Sequence, residues 1–414
     1  MSVPADHMTT VKKLGALGTM NMIAKAGFNY RHTMGYLVGK GQFARLSNFL
    51  YTKTLVPTGE GSGELAYYAI GGILQRYPQL VPYPKYIEVE ISTYCGNKCL
   101  ICEHTTWHEP SRNLSLADFI KLTDQFDLKW INATGMGDAF LNPDYLKMIK
   151  HLKQRNTSVF LVDSFNLITK DVARVLVESG VDGIYISMDG ATRETYESIK
   201  VGCDYDRVIT NIKNLLEIKK ELHSPIPEIC FRFVVNKKNV NEMADYVRVI
   251  NSLATREEFG DGSKIHFVGL LDFPEIHDLY LDTIPVDQIQ LAIEASKGGL
   301  PVVFAHTEQV TNPSINKCLA WAEPYFALVP ESMMLPCCAV LMNNDRQKLL
   351  DYSFGNYTTT PIKEIWNSPY YKWFRSMVTN PHAKVPAICA GCRAYDTTER
   401  MKKYGMDGRS KEAF

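Results

Sequence analysis

The decisive stretch runs Ile87-Glu88-Val89-Glu90-Ile91-Ser92-Thr93-Tyr94-Cys95-Gly96-Asn97-Lys98-Cys99-Leu100-Ile101-Cys102. In its first half Ile87, Val89 and Ile91 alternate with Glu88 and Glu90, the period-two signature of a strand. Its second half delivers Cys95, Cys99 and Cys102 from the loop that follows. Three thiolates this close reach three corners of a compact iron–sulfur cube and leave the fourth open. A structural zinc site wants four closed ligands. The zinc alternative therefore needs a distant residue, such as His104, to complete it.

Outward from this loop the same rhythm repeats. Strand-like runs follow at 129–133, 159–162, 183–187, 229–235 and 265–270, interleaved with helical patterns. One helix opens at Ser115 with Asp118 three residues on, a variant of the capping box. Others span 144–155, 169–180, 208–222 and 240–250. Six strands in this order argue for parallel βαβ units with right-handed crossovers. Such an α/β chain winds an open sheet or curls into a barrel. In both cases loops at the C-terminal strand ends carry the chemistry, and the cysteine loop is one of them.

The flanks read differently. Residues 1–84 form a helical N-terminal extension, with Leu14, Leu17, Met20 and Ile23, then Leu46, Phe49 and Leu50, at mixed helical spacing. A packed cap is expected, and a membrane-surface helix is the alternative. Over 310–396 prolines punctuate short segments and five cysteines fall at 318, 337, 338, 389 and 392. That pattern suggests a small metal-organised domain with few regular elements. Residues 397–414 are a polar tail.

Composition bounds the partners. The 414 residues are 45% hydrophobic and 22% charged, as in an ordinary globular protein. Forty-five Lys+Arg balance forty-five Asp+Glu, so no nucleic-acid backbone is expected as a partner. No run reaches the ~18 apolar residues of a membrane span; Leu65–Leu74 and Met333–Met342 read as core helix or buried loop. The N-terminus lacks the order of a secretory signal. A cytoplasmic location with reduced thiols is expected.

Cys-x₃-Cys-x₂-Cys after the first strand of a βα repeat resembles the radical S-adenosylmethionine (radical SAM) superfamily. Gly135-Met136-Gly137-Asp138-Ala139-Phe140-Leu141-Asn142-Pro143-Asp144 resembles its glycine-rich turn after the second strand. Ser187-Met188-Asp189-Gly190, continued through Ala191–Tyr196, resembles its fourth-strand motif. The similarity covers about residues 85–270 and implies a partial (β/α)6 TIM-like barrel over 85–309. It implies that Cys95, Cys99 and Cys102 hold a [4Fe-4S] cluster whose open iron chelates SAM. It further implies reductive cleavage of SAM to a 5′-deoxyadenosyl radical, which abstracts a substrate hydrogen. The implied cofactor contacts are the backbone at Gly135 and Gly137, Asp138 to the ammonium, Ser187 and Asp189 to ribose or carboxylate, and Ser164 after the third strand. The chain departs from the pattern at Ile101, commonly aromatic, at Asp138, usually glutamate, and at Asp163-Ser164-Phe165-Asn166, usually Asn-Gly-like.

Cys318, Leu335-Pro336-Cys337-Cys338 and Cys389-Ala390-Gly391-Cys392, with Phe354-Gly355-Asn356 and Ile365-Trp366-Asn367 between them, resemble the SPASM/twitch extension. Its two-cluster version needs more than the five cysteines present. One auxiliary [4Fe-4S] cluster on Cys318, Cys337, Cys389 and Cys392 is expected, and a zinc ribbon on the same four is the alternative. Cys337 is chosen over Cys338 because the Pro-Cys order matches the extension's turn. Such a cluster would accept an electron and make the net reaction an oxidation, a dehydrogenation of a small molecule. Peptide modification, or a redox-neutral reaction with a structural second cluster, is the alternative. A one-electron reductant such as flavodoxin or ferredoxin is implied. Cys203 and Cys230 read as buried thiols, and no catalytic acid or base is assigned.

Overall fold

The computed structural model describes residues 27–55, 83–271, 274–305, 324–338, 340 and 346–379. Cys318, Cys389, Cys392, the stretch Leu65–Leu74 and the polar tail lie outside the described residues. Strands β1 (Tyr86–Glu90), β2 (Trp130–Thr134), β3 (Ser158–Asp163), β4 (Gly183–Ser187), β5 (Glu228–Val235), β6 (Lys264–Gly269) and β7 (Val302–Ala305) run parallel, each beside the next. The first six coincide with the six alternating runs to within a residue or two. Together they form a partial α/β barrel of parallel strands. Helices α1 (Arg31–Gly39) and α2 (Phe43–Leu55) precede it. The crossovers carry α3 (Leu116–Thr123), α4 (Tyr145–Gln154), α5 (Lys170–Ser179), α6 (Arg193–Ile199), α7 (Tyr205–Glu221), α8 (Met243–Asn251), α9 (Arg256–Phe259) and α10 (Val286–Ala295).

Local signals explain these elements. The Ser115 hydroxyl accepts the Asp118 N–H at the start of α3. Thr169 caps α5 by accepting from Val172, and Gly180, at φ 73°, closes it in the left-handed conformation that glycine tolerates. Strand alternation then separates two faces. Ile87, Val89, Ile131, Val159, Leu161, Ile184, Ile186, Ile229, Phe231 and Phe233 pack outward against the helices in the main core. Tyr86, Trp130, Phe160, Tyr185 and Cys230 share the inner face as a second cluster, joined by Tyr51 of α2.

Helix α2 is tied to the loops at the N-terminal strand ends. Arg45 reaches Asp182 at 2.9 Å, the Asn48 amide donates to the Asn156 carbonyl at 2.8 Å, and Lys53 meets Glu228 at 2.7 Å. Within residues 27–55 the extension is thus a packed cap on the floor of the barrel. No helix among the described residues is long and apolar enough to cross a membrane.

The C-terminal segment is more regular than its prolines suggest. Strand β8 (Tyr325–Ala327) pairs parallel with β1, and β9 (Met333–Leu335) returns antiparallel to β8, giving the order β7-β6-β5-β4-β3-β2-β1-β8-β9. Helices α11 (Arg346–Tyr352), α12 (Ile362–Asn367) and α13 (Pro369–Thr379) follow. The apolar run that begins at Met333 is therefore an edge strand followed by the Pro336 turn. Strands of three residues are too short to display a period, which is why the pattern hides them.

Candidate active site

The cysteine loop hangs from the C-terminal end of β1 and is pinned on three sides. The Lys98 and Leu100 N–H groups donate to the Val201 and Ile199 carbonyls at 2.7 and 2.9 Å, so Cys99 sits between two anchors on the turn after α6. The Asp138 N–H reaches the Tyr94 carbonyl at 2.8 Å from the glycine turn after β2. The His104 Nε2 lies 2.7 Å from the Thr93 carbonyl, which only accepts, so this nitrogen donates and is taken. Through this nitrogen His104 braces the loop. Among the described residues, no three His, Cys, Asp or Glu side chains converge on a point where a single ion could sit. A cubane makes no such demand, because each thiolate binds its own iron. The donor set fits a cluster better than a lone metal.

The thiols differ in environment. Burial pushes Cys102 up to about 12 and also raises Cys95. The Cys99 thiol is drawn down to about 7 because the Cys203 thiol donates a hydrogen bond to it. Cys95 lies in the field of both Asp138, which raises it, and Lys200, which lowers it.

Lys200 is the residue that sequence reasoning missed. Its ammonium is buried, 2.9 Å from Asp189 and 3.0 Å from the Ser187 hydroxyl. Burial alone would lower its pKa, but Asp189 and the neighbouring thiols outweigh that and hold it above the ordinary lysine value. Asp189 also accepts the Val234 N–H at 2.6 Å. Ser187 and Asp189 therefore hold a lysine against the cysteine loop. The only sequence signal was a lysine within reach of the fourth-strand motif.

Gly135 and Gly137 owe their identity to close packing. A Cβ on Gly137 would meet the Ser92 and Tyr94 carbonyls, both at 2.6 Å, and one on Gly135 would meet the Glu90 side chain and the Ser92 carbonyl at 2.9 Å. Their bare backbones let the glycine turn lie against the residues just before Cys95. Asp138 is buried and shares a hydrogen bond with Asp163 at the end of β3; burial raises both, and Asp163 keeps the proton of the pair. Beyond it Ser164 accepts the Asn166 N–H at 3.4 Å. Phe165 is held at φ 64°, a conformation rare for an aromatic residue, by Asp163 on its N–H and Asn211 on its carbonyl. Ile101 is buried in a small apolar cluster with Ile199, Leu270 and Ile276.

Glu90, fully buried beneath these loops, accepts from Met136 at 3.1 Å and from Leu328 at 2.7 Å, and burial raises it to about 7. It links β1, the glycine turn and the C-terminal segment. Arg346 makes a second link, stacked 3.8 Å over the Trp107 ring and 3.2 Å from Glu109. Of the adjacent cysteines, Cys337 packs against the main core. The Cys338 thiol donates to Glu88 on the inner face of β1, within the field of Arg232. The two side chains thus serve different surroundings.

A strand-borne loop of three cysteines on a partial barrel defines the radical SAM class, and comparison agrees. The radical SAM superfamily matches residues 89–247, and the SPASM iron–sulfur cluster-binding domain matches 318–393. The chain thus carries a radical SAM domain, of the kind that binds SAM and a [4Fe-4S] cluster, and a SPASM domain, of the kind that binds auxiliary iron–sulfur clusters. A curated relative, the tungsten-containing aldehyde ferredoxin oxidoreductase cofactor-modifying protein of Pyrococcus furiosus, is 24% identical over 352 residues, 78% of this chain and 91% of the relative. A probable GTP 3′,8-cyclase of Saccharolobus islandicus is 27% identical over 198 residues, 47% of this chain and 61% of the relative. Among solved structures, Streptococcus suis SuiB bound to S-adenosylmethionine superposes with a TM-score of 0.59 at 13% identity, covering 81% of each chain.

Proposed function

We propose that this enzyme reductively cleaves SAM and directs the resulting 5′-deoxyadenosyl radical at a C–H bond of a small molecule held on the inner face of the barrel, with net oxidation of that molecule. When bound, the cluster supplies the electron that breaks the sulfonium C–S bond of SAM. The observation that carries the reading is the pairing of charges around Cys95. Asp138 and Lys200 both act on the Cys95 thiol, and they carry the two signs of charge that the ammonium and carboxylate of a methionyl group beside the open cluster corner would meet. Gly135 and Gly137 set the turn that presents Asp138, and Ser187 with Asp189 steer Lys200. Ser164, just past the end of β3, would be a further polar contact to SAM.

The inner face supports a polar substrate. Glu88, Asn132, Arg232 and His266 alternate along the strands with the aromatic floor of Tyr86, Trp130, Phe160 and Tyr185. The auxiliary cluster, on Cys318, Cys337, Cys389 and Cys392, would take the electron that dehydrogenation leaves behind. Pairing of β8 with β1 supports this by tying that region to the strand that bears the first cluster. A flavodoxin- or ferredoxin-type donor would feed the reaction. The Pyrococcus relative, which covers most of the chain, is named for modifying a cofactor, and this favours a small molecule. A second solved structure, SuiB bound to precursor peptide SuiA, superposes at a TM-score of 0.56 and keeps a peptide substrate as the second reading.

The test is anaerobic turnover with SAM and a low-potential reductant, across alcohols, amines and short peptides, scoring 5′-deoxyadenosine and product mass. Substrate-dependent 5′-deoxyadenosine with a product lighter by two hydrogens is expected. A product of unchanged mass rejects net oxidation. Full turnover by Cys99→Ala, or colourless protein after anaerobic purification, rejects the whole reading.

A further inference from the structure

The peptide groups of Leu328 are held on both sides by residues that also hold the loops of the SAM site. Its N–H donates to one oxygen of Glu90 at 2.7 Å, and the other oxygen of that carboxylate takes the Met136 N–H of the glycine turn at 3.1 Å. Its carbonyl accepts from the Arg112 guanidinium at 2.7 Å. Arg112 is itself locked to Thr93, two residues before Cys95. The Arg112 N–H donates to the Thr93 hydroxyl at 2.8 Å, and the Arg112 carbonyl takes the Thr93 N–H at 2.9 Å. One residue further on, the Val329 carbonyl accepts from Arg346 at 3.0 Å.

Glu90 is fully buried, and a buried carboxylate depends on the donors it finds. Its two oxygens draw them from different parts of the chain, so each donor helps to fix the carboxylate for the other. Leu328 follows directly on β8, which is laid against β1 through the pairs Glu88–Tyr325 and Val89–Phe326. There is no slack on the opposite side, because a Cβ on Gly135 would meet the Glu90 Cγ at 2.9 Å. Lifting β8 and β9 away from β1 would strip Glu90 of one donor and loosen the turn that the other donor anchors. A ligand that stills the turn must, by the same linkage, steady Leu328.

We propose that Glu90 is a positioning residue that couples the glycine turn to the β8–β9 segment, so that the seating of the SPASM region on β1 sets the affinity for SAM. Such a link withholds tight SAM binding from a chain whose second iron–sulfur region is not docked. The inference rests on the reading that the turn at 135–138 receives the methionyl end of SAM.

The experiment measures SAM affinity and backbone hydrogen–deuterium exchange on the anaerobically purified full-length enzyme, for wild type, Glu90→Gln and Arg112→Ala, with melting temperatures alongside. In wild type, SAM should slow exchange over 135–138 and also over 325–335. Arg112→Ala alters the Leu328 side of the link and should weaken SAM binding about fivefold or more, with faster exchange over 325–335. Glu90→Gln keeps the shape but offers a single carbonyl oxygen and sets an NH2 group against the other N–H. It should weaken SAM binding at least as much and abolish the SAM-dependent protection of 325–335. A purely structural role would lower the melting temperatures and leave the dissociation constant at its wild-type value, which overturns the proposal. Exchange over 325–335 that ignores SAM in the wild type overturns it too. If Glu90→Gln fails to fold, Arg112→Ala decides alone. A wild type that holds no cluster or does not bind SAM would instead overturn the functional reading beneath it.

Discussion

Replacing Gly137 with alanine should disable the enzyme through geometry alone, without touching a cysteine. The added methyl would meet two carbonyl oxygens at 2.6 Å and the Thr93 carbonyl carbon at 2.7 Å. Unstrained carbon contacts fall at about 3.5–4.0 Å, so the turn or the 92–94 backbone must yield by roughly 0.7 Å or more. Neither neighbour is a side chain that can swing aside. Overpacking of this kind costs about 1–3 kcal/mol, and the displaced backbone leads directly into Cys95. A misplacement approaching 1 Å near reacting groups costs about 10²-fold in rate. Gly135→Ala should do less, because one of its contacts at 2.9 Å is the Glu90 side chain. The assays are iron content after anaerobic reconstitution, thermal melting, and SAM cleavage. The expected order of loss is Gly137→Ala, then Gly135→Ala, then wild type. A Gly137→Ala protein with wild-type iron, melting temperature and cleavage rate would refute the packing argument, as would the reverse order between the glycines.

Three further outcomes test other parts of the molecule. Asp182→Asn should destabilise the fold by about 3–5 kcal/mol in denaturant titration, because the Arg45 and Lys153 cations on the buried carboxylate lose their partner. Lys219 is fully buried with its pKa pushed down to about 7 by burial. The folded chain therefore binds fewer protons there than the unfolded chain above pH 7, and stability should rise with pH towards the ordinary lysine pKa, by at most about 1.4 kcal/mol per pH unit. Melting curves of Lys219→Met across that window should lose this slope. Arg346→Ala removes the cation over Trp107 and the Glu109 pair. A loss of about 1–3 kcal/mol and a red-shifted tryptophan emission are expected, with the change concentrated in a variant that still holds its SAM-site cluster.

The barrel was legible because its evidence is local. Ile87, Val89 and Ile91 announce β1 by alternation, and the cap at Thr169 with Gly180 brackets α5 without any tertiary information. The cysteine loop was legible for the same reason, since its three cysteines lie within one short segment. Lys200 was not, because what makes it matter is its nearness to Cys95 and Cys99, about a hundred positions away in the chain, and a solitary lysine carries no spacing to read. Ser187 and Asp189 were visible as polar strand-end residues, but Lys200, which they hold in the structure, was not. Strand β8 escaped because three residues, Tyr325–Ala327, do not show a period, and its role depends on which edge it finds. The Cys337–Cys338 pair could be ranked only by motif order, whereas their side-chain directions follow from the turn after β9.

The seam between β1 and β8 has a consequence for anyone who would trim this chain. Glu90 takes its Leu328 hydrogen bond across that seam, and β8 covers what would otherwise be the naked flank of a parallel sheet. Excising everything after residue 310 would bare a row of unsatisfied amides and carbonyls and strand a buried carboxylate, the conditions under which one molecule templates the next. The product of such surgery would be an aggregate, not a minimal catalyst.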